Sequence, residues 1–503
     1  MPFNFQQYCS CFSLESETER VNDRVEEPGA EPEVAPASEA ATEPTPAQAE
    51  AHQPGALRKL VIRGSAFEMI GYGTGQVIRF GSNLVLSRLL FPEAFGLSAL
   101  VNIMNQGLIM LSDVGLPTVI VQSPRGDEPR FLNTAFTWQA VRSLLLWICA
   151  LAMAIPMAYM FAEPELKWLI PVGAMSVLFL GVRSTAYFTL RRQLRLLPLL
   201  ILELVAQIGA VALMIPWAIK SPSVWTLIGG MLMTSVLTSI GSHMIKVGYR
   251  NKFEWDSESA KSMLEFGKWI AGSSMLTFAS QQGDRLLLGH FLGAATLGVY
   301  SIAVFLSSAL GEAITRVTTG VFFPAYSRVN NEGTGRLREV FYKTRLVTDA
   351  LILPALGGLA VLGPFVVHLL YDPRYADAGW MLRVLSVRVA LACMVSPLQF
   401  CLFALGHARY GFYLNLARVM TLAIGVPIGF NVSGVAGLVW AVAASEVPAL
   451  IVCYFGFARA KLLSVLHELR APAFYLTGLV LGYAVLSALE ALGWSQPGRI
   501  RFH

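Results

Sequence analysis

Charge is what this sequence has least of. Asp, Glu, Lys and Arg make up 14% of its 503 residues against 54% in the hydrophobic set, and the mean hydropathy is +0.55. Soluble domains carry about a quarter charged residues, so a water-soluble globule is excluded. Cysteine is scarce, six in all. Cys9-x-Cys11 has no second Cys or His pair nearby to complete a metal site, and Cys149, Cys393, Cys401 and Cys453 fall in apolar stretches, where they read as small buried hydrophobes. No GxxxxGK[ST] loop occurs, and Gly71-x-Gly73-x-Gly75 has no strand before it, which argues against an ATP-driven pump. No nucleophile, base and orienter stand out together, so the chain is expected not to be an enzyme, to hold no cofactor or metal and to bind no nucleic acid. A positively charged start followed by an apolar run is also missing, so no cleavable signal peptide is expected and insertion should use the first long helix.

What is present divides by charge. Residues 1–56 hold 11 acidic residues and two basic ones, a balance of −9, with seven prolines; residues 57–503 hold 36 basic and 22 acidic, a balance of +14. The Pro/Ala/Glu-rich stretch 31–50 has almost nothing to bury against the entropy of ordering. A disordered acidic cytoplasmic tail is expected over 1–56.

Apolar runs of about 20 residues, the length that crosses a hydrocarbon core, give thirteen candidate segments. They lie near 66–90, 94–122, 133–160, 166–190, 197–219, 224–247, 263–291, 295–322, 345–370, 379–404, 409–430, 434–458 and 471–494. With the N-terminus in the cytoplasm, the inward loops collect Arg58, Lys59 and Arg63, then Arg125 and Arg130, then Arg191, Arg192 and Arg195, then Lys246, Arg250, Lys252 and Lys261, and later Arg328 to Arg345, Arg409, and Arg459, Lys461 and Arg470. The outward turns hold one basic residue or none, as the positive-inside rule requires. Only the last segment departs, since Arg499 and Arg501 would fall outside; re-entry or an interfacial position are the alternatives there. The expected fold class is an all-α polytopic membrane protein.

An offset of 202 residues superposes Phe80–Leu100 on Gln282–Ile302, with Gly81/Gly283, Leu84/Leu286, Leu86/Leu288, Leu90/Leu292 and Gly96/Gly298 identical. Both stretches form the first hairpin after a basic segment. The repeat implies two parallel six-helix lobes, 57–247 and 263–458, joined by a basic linker 248–262, with a solute path between them and 471–494 as an additional membrane segment.

Ser87-Arg-Leu-Leu-Phe-Pro-Glu-Ala-Phe-Gly96, Leu111-Ser-Asp-Val-Gly115, Leu297-Gly-Val-Tyr300 and Phe323-Pro-Ala-Tyr-Ser-Arg328 resemble the polysaccharide transporter family, the O-antigen and exopolysaccharide flippases of the multidrug/oligosaccharidyl-lipid/polysaccharide exporter superfamily. The resemblance covers about 60–460. It implies a central cavity that opens alternately to either side of the bacterial inner membrane and moves undecaprenyl-pyrophosphate-linked oligosaccharide for O-antigen, capsule or exopolysaccharide synthesis. A multidrug antiporter or a lipid II flippase of the same superfamily are the alternatives. Implied partners are the lipid-linked oligosaccharide, membrane lipids and the polymerase and glycosyltransferases of the pathway, with the chain itself a monomer.

Polar residues inside membrane helices mark functional sites by default. Glu68, Tyr72, Gln76, Arg79, Asn83 and Ser87 recur every three or four residues and share one helix face; Ser274, Thr277, Gln281 and Arg285 form the corresponding stripe. Ser98, Asn102, Asn105, Ser112 and Asp113 add to the second segment, and Ser301, Ser308, Glu312, Thr315 and Thr319 to the eighth. These four segments are the expected cavity walls. A guanidinium suits a pyrophosphate, because its fork donates paired hydrogen bonds and stays charged. Tyr72, Gln76, Arg79, Asn83, Gln281, Arg285, Arg388 and Arg418 are therefore the candidate cargo-binding residues. Each arginine has the alternative of pairing with a buried acid, for example Arg79 with Glu203 or Arg418 with Glu446. Glu203, Asp284, Glu312 and Glu446 are the candidates for coupling to an H+ or Na+ gradient. The membrane potential adds about 2.3 kcal/mol per charge per 100 mV for an anion leaving the cell, roughly 4–5 kcal/mol for two phosphate charges.

Overall fold

The computed structural model describes residues 54–492 apart from 113–115, 117–118, 121–122, 124, 194, 246–248 and 334, with side chains from 69 onward except 262 and 264–273. The acidic tail through residue 53, Cys9, Cys11, Asp113, Lys246, Arg499, Arg501 and the side chain of Glu68 lie outside the described residues. The chain divides into Met1–Arg63 and Gly64–His503, and everything below concerns the second unit apart from the opening turns of the first helix, which start at Pro54.

The described residues are predominantly helical, with no strand among them. In chain order the helices are α1 (Pro54–Leu89), α2 (Pro92–Leu111), α3 (Pro129–Met160), α4 (Leu166–Gly181), α5 (Ala186–Arg192), α6 (Leu197–Lys220), α7 (Val224–Met244), α8 (Ser257–Val317), α9 (Phe323–Asn331), α10 (Leu337–Leu370), α11 (Ala378–Ala404), α12 (Arg409–Ala444), α13 (Glu446–Arg459), α14 (Val465–Glu468) and α15 (Arg470–Ala491). Pro92 and Pro129 open α2 and α3 at positions where a missing N–H costs nothing. Asp256 caps α8 by accepting from the Ser259 N–H at 2.9 Å. That hydrogen bonding, with Arg125 nearby, holds the Asp256 carboxyl below its ordinary value of 3.8.

Two of these helices fold back on themselves. At Gly293 (φ 74°) α8 leaves helical geometry, and Tyr300 then donates to Asp284 at 2.8 Å, although sixteen residues of straight helix span about 24 Å. At Gly434 (φ 58°) α12 does the same, bringing Gly429 and Gly437 so close that a Cβ on either would strike the other's backbone. Glycine supplies the left-handed conformation at both turns.

By length and composition nine helices among the described residues can cross a membrane, ten if α4 and α5, bent by 59°, form one span. The thirteen segments expected from the sequence are not reached by length and composition alone. Two of the nine, Ser274–Asn331 and Arg409–Arg459, contain the turns at Gly293 and Gly434, and α1, with its polar stripe, is not among them. Other boundaries shift as well. The second helix ends at Leu111 and not near 122, with Arg142 donating to the Ile109 carbonyl at 2.8 Å and to Ser112 Oγ at 3.0 Å. Cys149 is exposed on α3, whereas Cys393, Cys401 and Cys453 are buried as expected.

The last segment is a regular 22-residue helix, α15, laid along α10 through Gly478 and Gly482 against Pro354 and Gly358. Small residues allow this close approach where lipid offers no hydrophobic drive. Glu468, just before it, makes paired bonds to buried Arg345 at 2.7 and 2.8 Å and accepts from Tyr454 at 2.9 Å, while Asp349 takes Arg345 Nε at 3.0 Å. The segment before α8 is an ordered strap: Asn251 bonds Ser184 and Thr185, and Glu254 bonds Asn133 and Thr137.

The repeat has a spatial counterpart. A Cβ on Gly96 would collide with the carbonyl of Ala294, and one on Gly298 with the carbonyl of Pro92. Pro92 and Ala294 are themselves related by the 202 offset, so the contact is self-complementary, as at a two-fold interface. Here α2 and the second leg of α8 cross.

Candidate functional site

Two cavities meet beside α8. The larger, about 510 Å³, is lined by both legs of α8, by α11 and by Glu446; its charged residues are Asp284, Arg285, Glu312, Arg316, Arg388 and Glu446. The smaller, about 150 Å³, lies among α1, α5, α6 and α8 and carries Tyr72, Arg79, Arg191, Glu203, Gln207 and Arg316. Arg316 lines both. Its guanidinium sits 4.1 Å over the ring of Tyr72, a cation–π contact, and Tyr72 Oη donates to Glu312 at 3.0 Å.

The charges fall into two sets. Arg388 Nη1 bonds Asp284 at 2.7 Å, and Asp284 also accepts from Tyr300 and from the Arg285 N–H at 2.8 Å each. Arg418 bonds Glu446 at 2.7 and 3.1 Å. These are fixed pairs. Arg79 instead bonds Gln76 on its own helix at 2.7 and 3.0 Å, and Arg285 bonds Gln282 at 3.2 Å. Among the described residues no carboxylate lies within ion-pair distance of Arg79, Arg191, Arg285 or Arg316. Glu203 and Glu312 accept from tyrosines, Tyr187 at 2.5 Å and Tyr72 at 3.0 Å. With the two fixed pairs neutral, four guanidiniums face two carboxylates, an excess of two positive charges.

The structure thus gathers most of the residues expected from sequence. Tyr72, Arg79, Gln281, Asp284, Arg285, Glu312, Arg388, Glu203 and Glu446 line one cavity or the other, and Arg418 stands behind Glu446. Gln76 serves to hold Arg79. Asn83 turns away and accepts from Tyr371 at 2.8 Å. The suggested Arg79–Glu203 pair does not form, because Tyr187 holds Glu203, whereas the Arg418–Glu446 pair does. Nor does α2 line either cavity among the described residues: Asn105 bonds Gly173 and Ser176 inside its own lobe, and Asn102 bonds the Ser98 carbonyl. Its place is taken by α6 and α11. Arg316 and Arg191 were missed by sequence reasoning; Arg316 lies four residues after Glu312, on the eighth segment's polar stripe, and could have been found there.

Contacts across the cleft are uneven. At the end where α1 turns into α2, Tyr371 bonds Asn83, Tyr375 bonds the Leu90 carbonyl at 3.0 Å, Arg374 bonds the Arg88 carbonyl at 3.2 Å, His290 meets the Met160 carbonyl at 3.0 Å, and Glu163 accepts from the Ala294 N–H at 3.3 Å. Arg374 also bonds Asp372, which lowers that carboxyl below 3.8. Gln282 bonds Gln106 at 2.6 Å partway along. Toward the other end, the described polar links to α8 are Tyr72 with its partners and, at the start of that helix, Arg125 with Glu258 at 3.5 Å and with the cap Asp256 at 3.8 Å. Polar contacts between the lobes thus cluster at the α1–α2 end, and the Tyr72 contacts form a latch toward the other.

Comparison with known proteins agrees with this architecture. A family model described as "Polysaccharide biosynthesis protein" matches residues 85–379. The chain is 24% identical over 405 residues to the lipopolysaccharide biosynthesis protein WzxC of Escherichia coli (strain K12), covering 79% of this chain and 81% of that one. It is 21% identical over 364 residues to the succinoglycan biosynthesis transport protein ExoT of Rhizobium meliloti (strain 1021), covering 72% and 73%. Its fold is that of the lipid II flippase MurJ in an inward closed conformation, with a TM-score of 0.66 at 11% identity over 87% of this chain and 94% of MurJ. An inward-facing multidrug resistance MATE family transporter gives a TM-score of 0.56 at 16% identity over 80% and 96%. With more than half its length matched by the family model, this chain belongs to the polysaccharide biosynthesis protein family.

Proposed function

We propose that this chain is a flippase that carries undecaprenyl-pyrophosphate-linked oligosaccharide repeat units across the bacterial inner membrane by alternating access, for surface polysaccharide synthesis. The observation that carries the reading is the charge of the joined cavities: Arg79, Arg191, Arg285 and Arg316 are free of acid partners among the described residues and exceed the unpaired acids by two. That excess matches the two charges of a diphosphate diester. Guanidiniums held over an aromatic ring or against a glutamine remain able to turn their N–H groups to phosphate oxygens.

In this reading the α1–α2 end faces the periplasm and the Tyr72 latch faces the cytoplasm, where the N-terminus lies. Opening at the latch would admit the head group while the isoprenoid stays in lipid; release would require the Tyr371, Tyr375 and Arg374 contacts to part. Glu203 and Glu312, held by phenols and not by arginines, are the acids we assign to H+ or Na+ coupling; Asp284 and Glu446 are assigned to structure. The thirteen-segment topology, a monomeric state, and work beside a polymerase and glycosyltransferases belong to the same proposal.

The test is deletion of the gene followed by measurement of lipid-linked oligosaccharide and surface polymer in one extract. Loss of polymer with accumulated lipid-linked units, reversed by the wild-type gene, supports the reading. Unchanged glycans with altered drug tolerance or stalled peptidoglycan synthesis would replace it with an antiporter or a lipid II flippase.

A further inference from the structure

A third pocket, about 200 Å³, belongs to neither cavity. It lies inside the first lobe among the end of α2, α3, α4 and the start of α5, with Leu146, Val177, Leu180 and Phe188 in its apolar wall and two guanidiniums, Arg142 and Arg183. Arg142 is engaged with Ser112 and the Ile109 carbonyl. Arg183 is not so provided. Its guanidinium lies 3.9 Å from the centre of the Tyr187 ring and 5.3 Å from that of Phe188, and its Nε is shut off from solvent with no hydrogen-bond acceptor. Aromatic faces compensate a cation's charge, but they leave the in-plane Nε–H without an acceptor, and such a group is rarely left so when buried.

The surroundings fix Arg183 in this position. Gln139 Nε2 donates to the carbonyls of Leu180 and Gly181 at 2.8 and 3.2 Å, holding the break between α4 and α5, and Gly181 packs so closely on Ser143 that a Cβ would strike its hydroxyl. Arg183 stands just before Arg191, Arg192 and Arg195, at the end that the Lys/Arg distribution makes cytoplasmic. Basic pockets between membrane helices on that side take anionic lipid head groups, and the apolar wall suits the glycerol and first methylenes of an acyl chain.

We propose that this pocket binds an anionic phospholipid of the cytoplasmic leaflet, with its phosphate accepting from Arg183. The inference rests on the orientation assigned above and not on the identity of the cargo. The site communicates with the translocation path: the Tyr187 ring under Arg183 carries the hydroxyl that holds Glu203 in the smaller cavity. Lipid at Arg183 would thereby fix the position of Glu203.

The purified full chain should be examined by native mass spectrometry with phosphatidylglycerol and with phosphatidylcholine, as wild type, Arg183→Gln and Arg183→Lys. The expected result is about tenfold preferential retention of phosphatidylglycerol, lost in Arg183→Gln and partly kept in Arg183→Lys. Equal retention of both lipids, or a preference unchanged by Arg183→Gln, overturns the proposal. So does complete displacement by inorganic phosphate, which would mark a free-anion site, or by an isoprenyl diphosphate, which would mark a cargo site. Should Arg183→Gln fail to fold, wild type is cross-linked with a head-group-photoactivatable phosphatidylglycerol; labelling within 139–146 and 177–188 supports the site, and labelling elsewhere refutes it. Binding is read without transport, so failure here leaves the flippase reading standing, and failure of that reading leaves this one.

Discussion

Asp284 was a candidate for ion coupling and Arg388 for cargo contact, and the structure joins them in one buried unit, so replacing Asp284 separates the two roles. The carboxylate is 1% exposed and accepts from Arg388, Tyr300 and the Arg285 N–H, all within 2.8 Å. Asp284→Ala leaves a guanidinium that is 17% exposed and a fully buried phenol without their acceptor. Breaking a buried pair from one side costs about 3–5 kcal/mol. Asp284→Asn keeps shape and some hydrogen bonding, and should cost about 1–3 kcal/mol. Removing both charges in Asp284→Ala/Arg388→Met should recover at least about 2 kcal/mol of the single-mutant loss, giving a clear coupling energy. Thermal unfolding of wild type, Asp284→Ala, Arg388→Met and the double variant in one detergent supplies the cycle. Additive losses, or an Asp284→Ala protein as stable as wild type, would refute a structural pair and return Asp284 to the coupling candidates.

Other consequences follow from contacts at the lobe crossing, the cap and the last helix. Gly96→Ala and Gly298→Ala should each cost about 1–3 kcal/mol by overpacking and shift the protein toward opening at the α1–α2 end; spin-label distances across that end should lengthen equally in both, and an effect in one alone would contradict the symmetric contact. Because the folded Asp256 carboxyl titrates below its unfolded value, its contribution is present above about pH 4 and is lost as pH falls through the folded value. Protection of the amides at the start of α8, taken relative to the intrinsic exchange rate at each pH, should therefore fall on acidification in wild type and be low and pH-independent in Asp256→Ala. Glu468→Ala strips Arg345 of its paired bonds and should cost about 3–5 kcal/mol, read as early proteolysis within α15; protection of α15 equal to wild type would show that the glycine contacts suffice alone.

Much of this architecture can be read from the chain because membrane helices announce themselves by length, and glycines mark where two of them reverse. The 202 offset even relates the two halves of one contact, taking Pro92 to Ala294 and Gly96 to Gly298, so that Gly96 meets Ala294 as Gly298 meets Pro92. A polar stripe is different in kind: it fixes which side chains share a face, not what the face meets. Asn83 is on the stripe and is spent on Tyr371, 288 residues away, while Arg79 on the same stripe reaches the cavity. Arg388 and Asp284 are 104 residues apart and nothing local couples them. Asn105 looked like a cavity residue because it is polar and mid-helix, yet its amide satisfies the Gly173 carbonyl, an acceptor that no side-chain pattern reveals. The end of α2 is marked in the sequence by Asp113, Gly115 and Pro117, which can cap or bend a helix there; what no local pattern reveals is that Arg142 of another helix takes the Ile109 carbonyl and the Ser112 hydroxyl.

Transport as proposed above requires the guanidiniums without acid partners to receive the cargo's diphosphate. In proteoliposomes containing a fluorescent undecaprenyl-diphosphate oligosaccharide, the initial rate of translocation should fall about tenfold or more in each of Arg79→Gln, Arg285→Gln and Arg316→Gln. Their unfolding temperatures should stay at the wild-type value, since none of the three holds an ion pair among the described residues. Full-rate translocation by the triple variant would contradict the claim that these arginines carry the charge of the cargo.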